Sequence, residues 1–174
     1  MPVARILGAR GSAATESEGV VGSETTQLLI FALGAERFAL PAGDVREVVR
    51  AVAISRLPKA PPILEGVVNV RGAVVPVLDI RQRFGLPSRP VDPDQHLILA
   101  HAGPRLVALR VDRATELVSV DRAAIESASR STPGAEYVAG IAKLPDGLLV
   151  IHELERFLSL DEAERLDAAL AVAP

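Results

Sequence analysis

The feature that most constrains the fold is a repeat, because the second half of the chain resembles the first. The segment LIFALGAERFALPAGDVREVV superposes on LILAHAGPRLVALRVDRATELV with a single-residue insertion, and GVVNVRGAVVPVLDIRQRF superposes on GIAKLPDGLLVIHELERF. The matched pairs are Leu29 with Leu97, Gly34 with Gly103, Arg37 with Arg105, Leu40 with Leu109, Glu47 with Glu116, Gly66 with Gly140, Val77 with Val150, Arg83 with Arg156 and Phe84 with Phe157. An ordered series of this length indicates an internal duplication.

Each half consists of short apolar runs separated by Gly and Pro corners, a pattern typical of strands and hairpins. About five short strands per half would form an open sheet with exposed polar edges, and curling into a small barrel hides those edges. We therefore predict an all-β protein with short helices, in which two similar barrels share an apolar seam.

The predicted boundaries follow the composition of the chain. One domain is expected over residues 25–160, with a first lobe at about 27–86 and a second at about 95–157. The Pro-rich stretch LPSRPVDPDQ is predicted to link them, and an exchange of elements between the lobes is left open.

The two ends of the chain differ from this pattern. Residues 1–24 are small and polar after a short apolar start, which favours a disordered tail over a secretory signal. Residues 161–174 are predicted to form a short amphipathic helix and tail, with Asp161 as the cap and with Leu166 and Leu170 on one face.

Composition excludes several classes of function. The net charge of −3 gives no basic field for nucleic acid, and an aromatic content of 3% offers few stacking platforms. The chain has no cysteine, so disulfides and thiolate metal sites are excluded. Its apolar runs are too short to cross a bilayer, so we expect a cytoplasmic protein without direct membrane insertion.

The titratable residues give little support for catalysis. His96 and His101 flank one predicted strand, where a spacing of five residues places them on opposite faces. His152 could pair with Glu153 in a small β-barrel enzyme, but we favour a structural role in which His152 caps the following short helix. Asp112 stands alone as a candidate ligand and is better explained by a turn. We therefore predict no catalytic residue, metal or cofactor.

The stretch NVRG contains the most informative polar residues. Gly72 is predicted to supply the positive φ of a tight hairpin, and Asn69 to bond the nearby backbone. Asp79, placed after a strand and before IRQRF, is predicted to cap that short helix. Arg71 has no such structural reason, so it is either an ordinary solvated surface charge or a contact whose guanidinium fork suits a partner's carboxylate. Pro76 indicates that the return strand lies at an edge or carries a bulge.

At these residues the sequence resembles the CheW family, the adaptor proteins of bacterial chemosensory arrays. GVVNVRGAVVPVLDIRQRFG is similar to the family pattern Gly-x-x-Asn-x-Arg-Gly-x-x-x-Pro-x-x-Asp-Leu, and LLIFALGAERFALPAGDVREVV, LVALRVDRATELVSV and YVAGIAKLPDGLLVIHELERFL support it. The match covers residues 26 to 160. The resemblance implies two five-stranded SH3-like barrels and a non-catalytic role, in which the adaptor couples methyl-accepting chemoreceptors to a CheA-type histidine kinase.

The resemblance also implies positions for the site. The receptor-contacting surface would fall on Val45, Glu47 and Arg71, with Asn69 supporting the turn that presents Arg71. Gly66 corresponds to a glycine where added bulk is expected to disturb kinase coupling. The implied partners are the regulatory domain of the kinase and the cytoplasmic tip of the receptor. The protein would be a monomer alone and would assemble in membrane-associated receptor arrays.

One segment departs from the family. Where the family shows a loop with a basic residue and an aromatic, this chain reads IESASRSTPG, with Glu126 and Ser131 at those positions. The loop from Glu126 to Gly134 leaves the formation of array rings open. An alternative function is a β-barrel interaction module outside chemosensing.

Overall fold

The computed structural model describes residues 24–128 and 135–172. Most of its regular structure is strand. The strands are β1 (Thr25–Leu33), β2 (Glu36–Pro41), β3 (Val45–Arg50), β4 (Leu64–Val70), β5 (Ala73–Leu78), β6 (His96–Ala102), β7 (Arg105–Val111), β8 (Arg113–Asp121), β9 (Ile125–Ser127), β10 (Val138–Leu144) and β11 (Gly147–His152). Short 3₁₀ helices span Ala42–Asp44, Ile80–Phe84, Arg122–Ala124 and Leu154–Phe157, and one α-helix, α1, spans Leu160–Ala171.

The strands form two sheets, and each sheet takes strands from both halves of the chain. One sheet has the order β8-β1-β2-β11-β10-β9 and the other the order β3-β6-β7-β5-β4. The hairpin β1-β2 therefore belongs with the strands of the second half, and β6-β7 belongs with those of the first. The predicted lobe ranges 27–86 and 95–157 do not correspond to the sheets, because the two halves exchange their first hairpins.

The order of strands shows that the two sheets are copies of one plan. β3, β6, β7, β5 and β4 occupy the places that β8, β1, β2, β11 and β10 occupy in the other sheet. Hairpin β9-β10 pairs over three residues, whereas its counterpart in the first barrel is the single bridge between Ser55 and Val67. The duplication inferred from the sequence is thus visible in the topology, including this one difference.

The register of the strands corrects parts of the superposition. Gly66 lies opposite Val77, and Gly140 lies opposite Ile151, so the counterpart of Val77 is Ile151 and not Val150. The predicted pairs Leu29 with Leu97 and Arg37 with Arg105 are also displaced by one residue. These errors arise because runs of Ala, Leu and Val match almost equally well when shifted.

Three apolar clusters hold the molecule together, as expected for two barrels with a shared seam. One core lies in each barrel, around Ile30, Ala142 and Leu149 in one and around Val75, Leu99 and Ala108 in the other. The largest cluster lies between the sheets and takes residues from both, including Phe31 and Ile98. Burial of this seam couples the two barrels into one unit.

The ends of the elements correct one expectation and confirm another. Helix α1 is capped by Ser159 and not by Asp161, since the Ser159 hydroxyl accepts from the Glu162 amide and the Glu162 side chain accepts from the Ser159 amide. Leu166 is fully buried, as its position on the apolar face predicts. The segment AGDVREVVR begins with the 3₁₀ turn Ala42–Asp44 and continues as β3 from Val45.

Two equivalent glycines allow the backbone to approach closely at bulges. The register of β4 and β5 shifts between Leu64 and Gly66, and that of β10 and β11 shifts between Val138 and Gly140. A Cβ atom on Gly66 would lie 2.2 Å from the Ser55 carbonyl oxygen, and one on Gly140 would lie 2.9 Å from the Glu126 carbonyl oxygen. Both contacts are with backbone, which cannot move aside without displacing a segment.

We expect Gly66→Ala to destabilise the fold by about 2 to 3 kcal/mol, because the added methyl must displace the bridge at Ser55. Gly140→Ala should cost less, since its clash is milder. Gly43→Ala is the control, because a Cβ there meets no atom within 4 Å. Urea unfolding of the three variants measures these differences. A Gly66→Ala protein as stable as the Gly43→Ala protein would contradict the steric account.

His152 lies in the seam, surrounded by aromatic rings. Its imidazole is 5.1 Å from the ring of Phe38, 4.8 Å from that of Phe84 and 5.7 Å from that of Phe157, measured between centroids. Nδ1 lies 3.2 Å from the Tyr137 carbonyl oxygen, and Nε2 has no hydrogen-bond partner among the described residues. Burial lowers the pKa of His152 to about 4, outweighing the hydrogen bond to Tyr137.

This environment gives the stability a defined pH dependence. Above pH 6.5 His152 is neutral in both states and contributes no pH dependence. As the pH falls from 6.5 towards 4, only the unfolded chain takes up the proton, so the free energy of unfolding falls by about 1.4 kcal/mol per pH unit.

His152→Phe should remove this contribution, because phenylalanine cannot take up a proton in the unfolded chain. Urea unfolding at pH 7, 5.5 and 4.5 should show the wild type losing more stability than His152→Phe. His101→Gln removes an exposed imidazole elsewhere in the chain and provides the control for the loss of a histidine. Parallel profiles for wild type and His152→Phe would show that His152 is not held neutral in the fold.

Candidate protein-docking surface

The predicted site centres on the two-residue turn between β4 and β5. Val70 pairs with Ala73, which leaves Arg71 and Gly72 as the loop. Gly72 has a φ of 85°, as the sequence predicts, and the Asn69 side-chain oxygen accepts from its amide at 2.9 Å. Arg71 also has a positive φ, 51°, which the sequence analysis did not anticipate. Two positive φ values in succession are the geometry of tight hairpin turns, where Asn-Gly is the usual choice.

Arg71 therefore occupies a backbone conformation that residues with a Cβ atom rarely adopt. The left-handed region costs a residue with a Cβ about 1 to 2 kcal/mol. Such outliers persist where the surrounding structure imposes them, and they are enriched at functional sites. The side chain of Arg71 is 67% exposed, so its conformation does not serve burial.

Glu47 holds the guanidinium of Arg71 in place. Arg71 Nη2 lies 3.0 Å from Glu47 Oε2, and Nη1 donates to Oε1 at 3.3 Å, which gives a two-pronged contact. Glu47 lies on β3, at one edge of the five-stranded sheet, and the turn with Arg71 follows β4 at the other edge. The ion pair thus bridges the two edges of the barrel and brings together two of the predicted site residues.

Apolar side chains flank this ion pair. Val45, the third predicted receptor contact, is partly buried and packs against the seam. Val74 follows the turn on β5 and is 55% exposed, which is unusual for a valine in a strand. Sequence reasoning missed Val74, whose exposure does not follow from strand alternation, since Ala73 and Val74 are both exposed and the rest of β5 is buried.

Gly66 and Pro76 do not belong to the exposed surface. Gly66 is buried under the Ser55 segment, so it cannot touch a partner directly. Pro76 lies on β5, which is an inner strand and not an edge, and the bulge of this hairpin is on β4, between Leu64 and Gly66. The proline is tolerated because β7 pairs only with Val77 and Leu78, and the preceding residues of β5 need no donor on that side.

A network of buried charges lies beside the first barrel, and the sequence analysis missed most of it. The Arg110 guanidinium is almost fully buried and donates to Glu65 at 2.6 Å, to Gln95 at 3.0 Å and to Asp79 at 3.4 Å. Asp79 also accepts from the Arg81 amide at 3.1 Å, which is the capping role that the sequence predicts. Arg110 thereby ties the linker to the barrel.

Asp112 is a second centre of this network. Its carboxylate accepts from Arg81, from the Gly34 amide at 2.6 Å and from Arg89 at 3.1 Å. Partial burial tends to raise the pKa of Asp112, but the hydrogen bonds from Arg81 and Gly34 outweigh it and hold the pKa below its ordinary value. Asp112 therefore joins the β1-β2 turn of one barrel to the 3₁₀ helix of the other.

A cavity of about 760 Å³ lies against this network, between the Pro-rich loop and the linker. Its walls include Leu57, Pro62, Glu65, Arg89 and Arg110. None of Val45, Glu47, Asn69 or Arg71 lines it, so the cavity and the surface around Arg71 are separate features.

The arrangement expected of an enzyme using His152 and Glu153 is not present. Glu153 pairs with Arg156 at 2.8 Å, and His152 faces the Tyr137 carbonyl inside the seam. The predicted capping role of His152 is also wrong, since Glu153 is the residue that precedes the 3₁₀ helix, and neither side chain caps it. Over residues 24–128 and 135–172, no cluster of three or more His, Asp or Glu side chains could hold a metal ion.

Glu126, in the atypical loop, pairs with Lys143 at 2.6 Å on the exposed face of β9 and β10. Ser131 and the rest of the loop at 129–134 lie outside the described residues, as does the predicted tail before Glu24. Among the helices that the structure describes, none has the length and apolar character needed to span a membrane.

Comparisons with known proteins agree with this geometry. The family model described as CheW-like domain matches residues 27–162. A chemotaxis protein CheW of Klebsiella aerogenes is 29% identical over 143 residues, which cover 81% of this chain and 86% of that protein. One from Helicobacter pylori is 27% identical over 139 residues, covering 79% of this chain and 84% of its own length.

A solved structure extends the similarity to the fold. The crystal structure of the scaffolding protein TtCheW from Thermoanaerobacter tengcongensis superposes with a TM-score of 0.73 at 31% identity. The superposition covers 80% of this chain and 96% of that one. The matched family model spans both barrels, so the chain belongs to the family of CheW-like domains.

Proposed function

We propose that this protein is a non-catalytic adaptor that couples methyl-accepting chemoreceptors to a CheA-type histidine kinase in a bacterial chemosensory array. It would work in the cytoplasm and be recruited to membrane-associated receptors. Family membership supports the adaptor role, and the names of the relatives support chemotaxis as the setting.

The observation that carries the proposal is the presentation of Arg71. A tight turn holds this residue at a positive φ with its guanidinium exposed, and Glu47 orients the guanidinium from the opposite edge of the sheet. The hairpin turn requires the positive φ, but it does not require arginine there, since asparagine or glycine adopts that conformation at lower cost. The choice of arginine is explained if its guanidinium must contact a carboxylate or a helix-end carbonyl of a partner.

The surroundings of Arg71 fit the tip of a receptor, which the family resemblance describes as a helical hairpin with acidic side chains and apolar ridges. Val45 and the exposed Val74 provide apolar contact area near the ion pair. Asn69 keeps the turn closed through its bond to the Gly72 amide. A polar rim with apolar contacts is the usual composition of a protein interface.

Gly66 would influence kinase coupling through the backbone. Because added bulk at Gly66 collides with Ser55, it would shift the segment that borders β4 on the outside. We propose that this shift, and not a lost contact, is how substitution at Gly66 would disturb the kinase.

Titration calorimetry tests the proposal with two cognate partners, the regulatory domain of the kinase and a receptor-tip fragment. We expect saturable binding to both in the micromolar range, about −8 kcal/mol each. Arg71→Glu should weaken receptor binding at least tenfold, because the charge is reversed, and should leave kinase binding unchanged. Arg122→Glu, an exposed charge reversal at the start of the 3₁₀ helix Arg122–Ala124, is the control.

Three outcomes would count against the proposal. Binding to neither partner would favour an interaction module outside chemosensing. Unchanged receptor affinity in a folded Arg71→Glu variant would remove Arg71 from the site. Equal losses for Arg71→Glu and Arg122→Glu would indicate a general effect of net charge.

A further inference from the structure

Three basic side chains converge at one end of the seam, on strands that are distant in sequence. Arg50 ends β3 and lies directly opposite His96, the first residue of β6. Residues paired in this way project from the same face of a sheet, with Cβ atoms about 5 Å apart. His96 Nδ1 accepts from the Ala114 amide at 2.9 Å, which places the start of β8, with Arg113, against the same imidazole.

Both arginines are exposed, and neither is neutralised by an acid. Over the described residues, no ion pair within 4.0 Å involves Arg50 or Arg113. Asp112, the neighbour of Arg113 in sequence, is occupied by Arg81, Arg89 and the Gly34 amide. Like charges placed side by side repel, so two uncompensated arginines beside a histidine destabilise the free protein slightly.

His96 takes part as a neutral donor at pH 7. Because Nδ1 accepts from a backbone amide, the ring proton resides on Nε2, and protonation of Nδ1 would break that hydrogen bond. Burial lowers the pKa of His96, and the charges of Arg50 and Arg113 lower it further. The cluster therefore offers two guanidinium forks and one imidazole N–H, all of which are donors suited to carboxylate oxygens.

We propose that Arg50, Arg113 and His96 form a docking site for an acidic segment of a partner protein. Charge complementarity favours an acidic partner, since this local cluster is positive on a chain whose net charge is −3. The position favours a protein as the source of the acid. β3 is the edge strand of its sheet, and the pairing of Val45 with Ala100 and of Arg50 with His96 places Val45 and Arg50 on the same face, so a protein that contacts Val45 can reach Arg50 along the strand. The site is separate from Arg71 and does not depend on the identity of the partner.

His96 provides a direct readout of this site. In an NMR titration of the intact protein, a hexaglutamate peptide should raise the pKa of His96, because a bound carboxylate compensates the two arginines. The exposed His101 is an internal control and should not respond. Arg50→Gln combined with Arg113→Gln should raise the pKa of His96 without peptide and abolish the response to it. Arg46→Gln combined with Arg56→Gln removes the same charge elsewhere and should retain the response.

The outcomes separate the proposal from its alternatives. A response to hexaglutamate that is lost only in the Arg50 and Arg113 variant supports the site. No response of His96 at any peptide concentration overturns it. An equal response to inorganic phosphate at the same charge concentration also overturns it, since the cluster would then be a general anion site. Because the peptide is not a receptor or kinase fragment, failure here leaves the adaptor function standing.

Discussion

The exchange of hairpins between the two halves of the chain is the constraint on which the rest of the structure depends. A barrel made only of consecutive strands would bury its own core. Such a barrel could pack only weakly against the second barrel. Here β1-β2 completes the barrel built from β8 to β11, and β6-β7 completes the one built from β3 to β5. Each barrel therefore needs residues from both halves, and the apolar seam joins strands that already cross between them.

This arrangement leaves the surfaces of the barrels free for docking. The seam contains most of the large buried side chains, so the outer turns contribute little buried apolar area to the stability of the fold. The two barrels then differ at equivalent places. In the first, the outer edge of β4 is covered only at Ser55, and an exposed arginine occupies the turn. In the second, β9 covers the edge over three residues, and Gly147 lies just after the turn.

The buried charges at Arg110 and Asp112 have a different role from the exposed ones. They join the linker, the β1-β2 turn and the 3₁₀ helix after β5, where backbone groups of irregular segments need partners. Breaking such a buried pair is costly because the remaining charge is left unpaired. We infer that these contacts fix the relative position of the barrels, whereas Arg71, Arg50 and Arg113 face outward.

The sequence predicted the class of fold, the duplication and the apolar seam, because these depend on the alternation of apolar residues and on glycine corners. The turn at Gly72 and the cap at Asp79 were predicted for the same reason, since local backbone geometry selects those residue types. The exchange of hairpins could only be left open, because a strand pairs equally well with either copy of a repeated sequence.

What the sequence could not give was contact between distant side chains. The bond between Arg71 and Glu47, the burial of Arg110 and the convergence of Arg50 with Arg113 depend on how the edges of the sheets meet. The cap at Ser159 could have been predicted, since Ser-x-x-Glu precedes an apolar helix face, but Asp161 was predicted instead. His152 was misassigned because its position at a strand end concealed its burial among aromatic rings.

The two barrels form one folding unit, since each contains strands of both halves. Native-state hydrogen exchange in increasing urea tests it most directly. The slowest amides of one core, such as Ile30 and Ala142, and those of the other, such as Val75 and Leu99, should converge on a single free energy of opening. Two separate opening energies, one shared by Ile30 and Ala142 and the other by Val75 and Leu99, would contradict a single folding unit.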